Sequence, residues 1–217
     1  MKTFFKLISF ILVIALFMTS CEKDSTDGEL TLSITDAPAD DSTIDAIYLT
    51  ITDIQYHKND ADWTSFEEFT GPQKFNILEL TEGNSELMGT FSMEAGHYTQ
   101  LRFFVDAPEE TEQSPPVNPG CYVEFSDGSE ETLFVPSGSE SGWKGVGGFD
   151  VPINGNVSIT ADFDARKSIF MTGAERWILV PTIRLIVDNQ AGKIVGNVSF
   201  LPDSGEYVIY AYEDGTY

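Results

Sequence analysis

Basic residues are scarce in this chain: 12 Lys and Arg stand against 35 Asp and Glu, a formal net charge of −23 over 217 residues. A surface that acidic repels phosphate backbones and anionic head groups, so a nucleic-acid partner is excluded. Histidine occurs only at His57 and His97, and cysteine only at Cys21 and Cys121. With no H-x-H, HExxH or CxxC spacing, nothing supplies the three or four ligands a zinc site needs. The G-x-S-x-G elbow of serine hydrolases is missing too. Gly145-Val146-Gly147-Gly148 lacks the GK[ST] ending of a phosphate loop and reads as a turn. After Met18 there is neither a long apolar run nor a sustained 3.6-residue period, which excludes a helical bundle.

What is present begins at the N-terminus. Lys2 and Lys6 precede an apolar run from Leu7 to Met18. That run is shorter than the roughly 20 residues a membrane-spanning helix needs, so residues 1–20 read as a signal peptide. Met18-Thr19-Ser20-Cys21 resembles the lipobox of bacterial lipoproteins. The resemblance implies that Cys21 becomes the acylated first residue, with palmitate among its chains. The implied partner is the membrane, reached through that lipid, and the implied location is the bacterial cell envelope, at the outer membrane on its periplasmic or surface side. Residues 21–29 then form the lipidated cysteine and a flexible polar tether. An acidic tether there is similar to the surface-export signals of Bacteroidetes lipoproteins. Losing Lys2 and Lys6 takes the mature chain from −23 to near −25. Cys121 is left without a disulfide partner and is expected to be a buried structural thiol.

The apolar residues downstream follow a period of two. Leu30, Leu32 and Ile34 alternate with Thr31, Ser33 and Thr35, and Val157, Ile159, Ala161 and Phe163 alternate with Ser158, Thr160 and Asp162. Ile47, Leu49 and Ile51 keep the same rhythm until it slips one residue at Asp53, the mark of a β-bulge. Further strands are expected at Lys74–Leu80, Thr90–Met93, Leu101–Val105, Cys121–Phe125, Thr132–Val135, Phe149–Ile153, Trp177–Val180 and Thr182–Val187. Short helical turns are expected near Thr81–Leu87 and Ala165–Ile169. The stretches 106–120 and 136–148, rich in Pro or in Gly and Ser, are expected to be loops. The fold class is therefore all-β: an antiparallel β-sandwich, immunoglobulin-like or transthyretin-like, with about nine to eleven short strands.

Several blocks also resemble one family. Leu32-Ser33-Ile34-Thr35-Asp36-Ala37-Pro38, Ile47-Tyr48-Leu49-Thr50-Ile51 and Ala95-Gly96-His97-Tyr98-Thr99-Gln100-Leu101-Arg102 fall in family order. So do Val135-Pro136-Ser137-Gly138-Ser139, Asp162-Phe163-Asp164-Ala165-Arg166-Lys167-Ser168 and Leu179-Val180-Pro181-Thr182-Ile183-Arg184-Leu185. Together they resemble the DUF4382 family of bacterial lipoproteins over residues 30–187. That family implies an exported β-rich domain without an assigned activity. Residues 188–217 read as extra strands or as the start of a truncated domain similar to carboxypeptidase-regulatory-like domains.

Candidate chemistry is sparse. Asp162 and Asp164, two apart on a strand, share a face and could take a hard cation such as Ca²⁺, with Asp36, Asp40, Asp41 and Asp45 after the first strand supplying further oxygens if the fold brings them near. The competing reading pairs these aspartates with Arg102, Arg166, Lys167 or Arg184. Trp143 and Trp63 are candidate platforms for a sugar ring or a protein partner, or else pack back onto the sandwich. A glycosidase needs two carboxylates roughly 5–9.5 Å apart, a coincidence that so many acids make cheap. Asp24-Ser25-Thr26 and Asp41-Ser42-Thr43 resemble an O-glycosylation triplet. The expected function is a non-enzymatic binding or adhesion module without a cofactor, its protein or glycan partner unknown. A Ca²⁺- or carbohydrate-binding domain and a structural spacer or periplasmic assembly component are the alternatives.

Overall fold

The structure, a computed structural model, describes residues 26–36, 43–59, 61–81, 83–111, 120–136, 142–164 and 168–192. The signal segment, Cys21, most of the tether, Asp40 and Asp41, the start of the turn expected at Ala165 and the chain from 193 onward lie outside them. The strands are β1 (Asp27–Asp36), β2 (Ile44–Lys58), β3 (Thr64–Ser65), β4 (Gln73–Asn76), β5 (Glu86–Glu94), β6 (Gly96–Val105) and β7 (Tyr122–Phe125). They continue as β8 (Glu130–Phe134), β9 (Trp143–Val151), β10 (Asn156–Phe163), β11 (Ile169–Met171), β12 (Trp177–Leu179) and β13 (Ile183–Val187). The all-β sandwich class expected from alternation is what the chain adopts. Strands such as β3 and β11 are too short for a period of two to register, which is why more strands form than expected.

Strand β2, fifteen residues long, organises the sheet. Tyr48 is shared by β4 and β7, and Ile51 by β4 and β6. One edge of β2 therefore carries β7 and then β6 in succession, while β4 and β3 sit on the other edge. The register slips between Ile51 and Asp53, the bulge expected from the sequence. Two arms leave that edge: β7-β8-β12-β11 and β6-β9-β13-β10-β1-β5. Their inner faces share a single apolar core. Near its far end the longer arm meets β4 through a side chain, the Gln73 amide donating to the Met88 carbonyl at 2.9 Å.

Pairing is mixed rather than purely antiparallel. β1 runs parallel to β10, β8 to β12 and β9 to β13. Alternation reports which face is buried and carries no information on strand direction, so the sequence was silent on this point. Registers stack the core: Leu30 lies between Phe91 and Val157, and a row runs Phe163, Ile183, Gly145, Leu101, Tyr56. Leu30, Leu32, Ile34, Leu101, Phe103 and Ile159 are all fully buried.

Three local expectations are corrected. The strand expected over Lys74–Leu80 ends at Asn76 and gives way to a 3₁₀ turn, Ile77–Leu80. Ile77 and Leu80 are both buried there, and residues three apart eclipse in a 3₁₀ turn, so both reach the core. The turn expected at Thr81–Leu87 is displaced upstream for that reason, and β5 already begins at Glu86. The glycine-rich stretch 143–148 is no loop: it is the body of β9. Its glycines serve close packing. A Cβ on Gly145 would sit 2.7 Å from Leu185 Cδ2. At Gly147, where φ is +133°, it would sit 2.9 Å from the Leu185 carbonyl oxygen. In a strand, glycine marks such close approaches as readily as a turn.

Candidate functional site

Register separates the aspartates considered for a cation. Thr35 pairs with Asp162 and Asp36 with Phe163, so Asp36 and Asp162 project from opposite faces of the sheet. Asp162 lies opposite Arg184 on β13. Its Oδ2 accepts bonds from Arg184 Nε at 3.2 Å and from Nη2. The hydrogen bond to Asp162, and then its charge, raise the Arg184 pKa above its ordinary value. Asp162 is buried and that cation is its counter-ion. Just past the end of β10, Asp164 donates its backbone N–H to the Thr182 carbonyl. Among the described residues, no three His, Cys, Asp or Glu side chains are grouped to hold a metal ion.

The two tryptophans part company as well. Trp143 opens β9 opposite Phe103 and packs against the core. Trp63 stands outside, with the Arg102 guanidinium carbon 3.8 Å from its ring centroid and the His57 ring at 5.1 Å. His57 Nδ1 lies 2.7 Å from Thr99 Oγ1. His97 Nδ1 lies 2.9 Å from Asp150 Oδ1 on an open surface.

Cys121 is fully buried, and its sulfur accepts a bond from the Thr50 backbone N–H at 3.5 Å. Burial pushes the thiol from 9.0 up to about 12, and burial does the same to Tyr98, from 10.0 to about 12. Each group is thus neutral in the fold where the unfolded chain would ionise. Their contribution is complete below pH 9 and is lost as pH climbs toward about 12. The melting temperature is expected to hold up to about pH 9 and then fall, with Cys121 meeting a disulfide reagent only as the chain opens. A flat melting profile from about pH 9 to 11, or rapid labelling of the native thiol, would contradict this placement.

The site that no motif announced is a cleft of about 820 Å³ between the β7–β8 turn and the β11–β12 hairpin. Its apolar wall is Phe125 and Trp177, with ring centroids 5.5 Å apart at 51°, joined by the half-exposed Met171. Polar groups face it from Thr43, Ser126, Asp127, Ser129 and Glu131. Ser126 Oγ donates to Asp45 Oδ1 at 2.8 Å. The Ser129 hydroxyl and backbone N–H both donate to Asp127 Oδ1, at 2.6 and 2.9 Å, and hold that carboxyl below its ordinary pKa. Asp127 is therefore a fixed, ionised acceptor at the rim. Asp127 and Trp177 lie fifty residues apart in sequence, and only the parallel β8–β12 pairing brings them together.

An all-β protein of the sandwich type, with a shallow cleft of aromatic rings and carboxylates at one end, is the class this fold and site define. The chain belongs to the family described as Domain of unknown function (DUF4382), which matches residues 27–181. The match runs from the start of β1 to the end of β12 and stops before β13. No curated protein and no solved structure matches the chain.

Proposed function

We propose that the protein is a lipid-anchored, non-enzymatic binding module of the bacterial envelope, held at the outer membrane through Cys21, and that its cleft takes a carbohydrate. The observation that carries this reading is the cleft itself. Phe125, Trp177 and Met171 offer an apolar wall to the C–H face of a sugar ring, and Ser126, Ser129, Asp127 and Glu131 stand where hydroxyls would emerge. Binding sites for small ligands commonly combine a mostly apolar wall with a few placed polar groups. The charge of the cleft favours a neutral sugar, since its described lining holds Asp127 and Glu131, with Asp45 behind Ser126, and no Lys or Arg. The polar residues 22–26 precede β1 directly, so a lipid on Cys21 would leave the domain clear of the bilayer.

The test is calorimetry and tryptophan fluorescence on the full chain in detergent, with cellotetraose and maltotetraose as probes. One of the two is expected to bind, and Trp177→Ala is expected to weaken it about tenfold, the equivalent of roughly 1.4 kcal/mol. Absence of heat and of any spectral change with both probes up to about 10 mM would remove the carbohydrate reading, that being near the weak limit of specific binding.

A further inference from the structure

Among the described residues, Arg102 is a cation without an ion-pair partner, in a chain dominated by acids. It sits in the middle of the outer face formed by β2, β6 and β9, directly opposite Gln55 on one side and Lys144 on the other. Its guanidinium lies 3.8 Å over the ring of Trp63. Its stem is confined by the chain entering β9: Gly142 has φ +63°, and a Cβ there would sit 2.5 Å from Arg102 Cγ. Nε is buried and meets no hydrogen-bond partner. Among the described residues, Lys58 has Glu94 and Arg184 has Asp162, whereas no carboxylate reaches Arg102. The nearest acid by register, Asp53 opposite Phe104, is engaged by Ser65 Oγ at 2.7 Å, by Gln55 Nε2 at 3.3 Å and by the Ile54 N–H at 2.8 Å.

The Trp63 ring at 3.8 Å and the crowding of its stem at Gly142 confine the guanidinium. A guanidinium's N–H edge matches the two oxygens of a planar carboxylate, and a confined one loses less freedom on forming a bidentate bond. Lys144, exposed on the neighbouring strand, adds a second positive charge. Gln100 flanks the pair with its amide and Gln55 with its amide oxygen, the Gln55 Nε2 being engaged by Asp53 and Ser65, and Val146, opposite Gln100, is 68% exposed as an apolar shelf.

We propose that this face is a second binding site, for a sugar residue carrying a carboxylate, with the carboxylate on Arg102 and Lys144 and the ring over Gln100 and Val146. Two observations favour a sugar over an acidic peptide. Peptides add to sheets through free backbone at an edge, whereas β6 is hydrogen-bonded on both sides, to β2 and to β9. Only side chains are on offer here, and those are the groups a glycan uses. The formal charge of −23 also opposes a polyanion and tolerates a single local carboxylate. The site stands apart from the cleft and does not depend on it.

The test uses the full chain in detergent and three probes: a trisaccharide ending in one glucuronic acid, its glucose-ended counterpart, and an acidic hexapeptide. The acidic trisaccharide is expected to bind at least about tenfold more tightly than the neutral one, with the difference shrinking in high salt. Arg102→Lys, which keeps the charge and loses the planar fork, is expected to cost roughly tenfold, and Lys144→Gln about threefold. Trp177→Ala is expected to leave this binding unchanged. Lys144 is exposed, so its variant reads binding without disturbing the fold. Equal affinity for the two sugars, undiminished binding by Arg102→Lys, tighter binding of the peptide, or no binding by any probe would each overturn the proposal.

Discussion

Replacing Cys21 by serine is expected to abolish incorporation of radiolabelled palmitate, whereas the wild-type chain is expected to take up label and to partition with the membrane pellet. The physical argument is the arithmetic of acyl chains. Each buried methylene is worth about 0.8 kcal/mol, and one fatty chain alone gives only marginal, reversible attachment. Stable anchoring therefore needs the several chains implied by a lipobox cysteine, and a serine at that place can accept none of them in thioether linkage. The experiment is metabolic labelling of cells producing either form, with intact mass on the purified chains. A wild-type chain without label, or equal label on the serine variant, would overturn the anchor and with it the placement at the outer membrane.

Phe103→Ala is expected to lower the unfolding free energy by about 3–5 kcal/mol, the range for emptying a fully packed aromatic position. Phe103 is fully buried and meets Phe163 edge-on, with centroids 5.7 Å apart. The space beside it cannot collapse easily. Gly145 already lets Leu185 approach, and the Gly145 Cα region lies close to Phe103 Cε2. A cavity there would stay open, which places the cost toward the upper end of the range. Urea denaturation of wild type and variant supplies the difference. Phe170→Ala is the comparison: that ring is 48% exposed, so its loss should change stability by less than about 0.5 kcal/mol. A Phe103→Ala cost below about 1 kcal/mol would mean that this part of the core is not close-packed.

Legibility in the sequence followed the physics of each signal. Alternation located β1, β2 and β10 and even the bulge beside Asp53, because one buried face forces a period of two. It failed at 77–80, where apolar residues three apart satisfied burial by a different backbone, and at 143–148, where glycine composition imitates a turn. Strand direction was invisible for the reason already given. The aspartates illustrate the same limit at the level of chemistry. The strand ends at Phe163, before Asp164, and the cross-strand neighbour that decides what Asp162 does, Arg184, is set by the β10–β13 register. The cleft was hidden more completely. Phe125, Asp127, Met171 and Trp177 lie on four separate elements or turns, and each alone reads as an ordinary core or turn residue. Arg102 was legible as a basic residue on a strand, and what isolates it from carboxylates is again the set of neighbours imposed by pairing.

The position of β1 has a mechanical meaning. It is the first element among the described residues, and it is bonded on both flanks, to β10 along Glu29–Asp36 and to β5 along Asp27–Ile34. A pull on the N-terminus against a load on the body of the sheet runs along the strand axis. It therefore stresses both rows of bonds at once, in shear, and cannot peel them one at a time. Rupture then requires many bonds to fail together, so the described strand nearest the N-terminus is also among the hardest to extract by force.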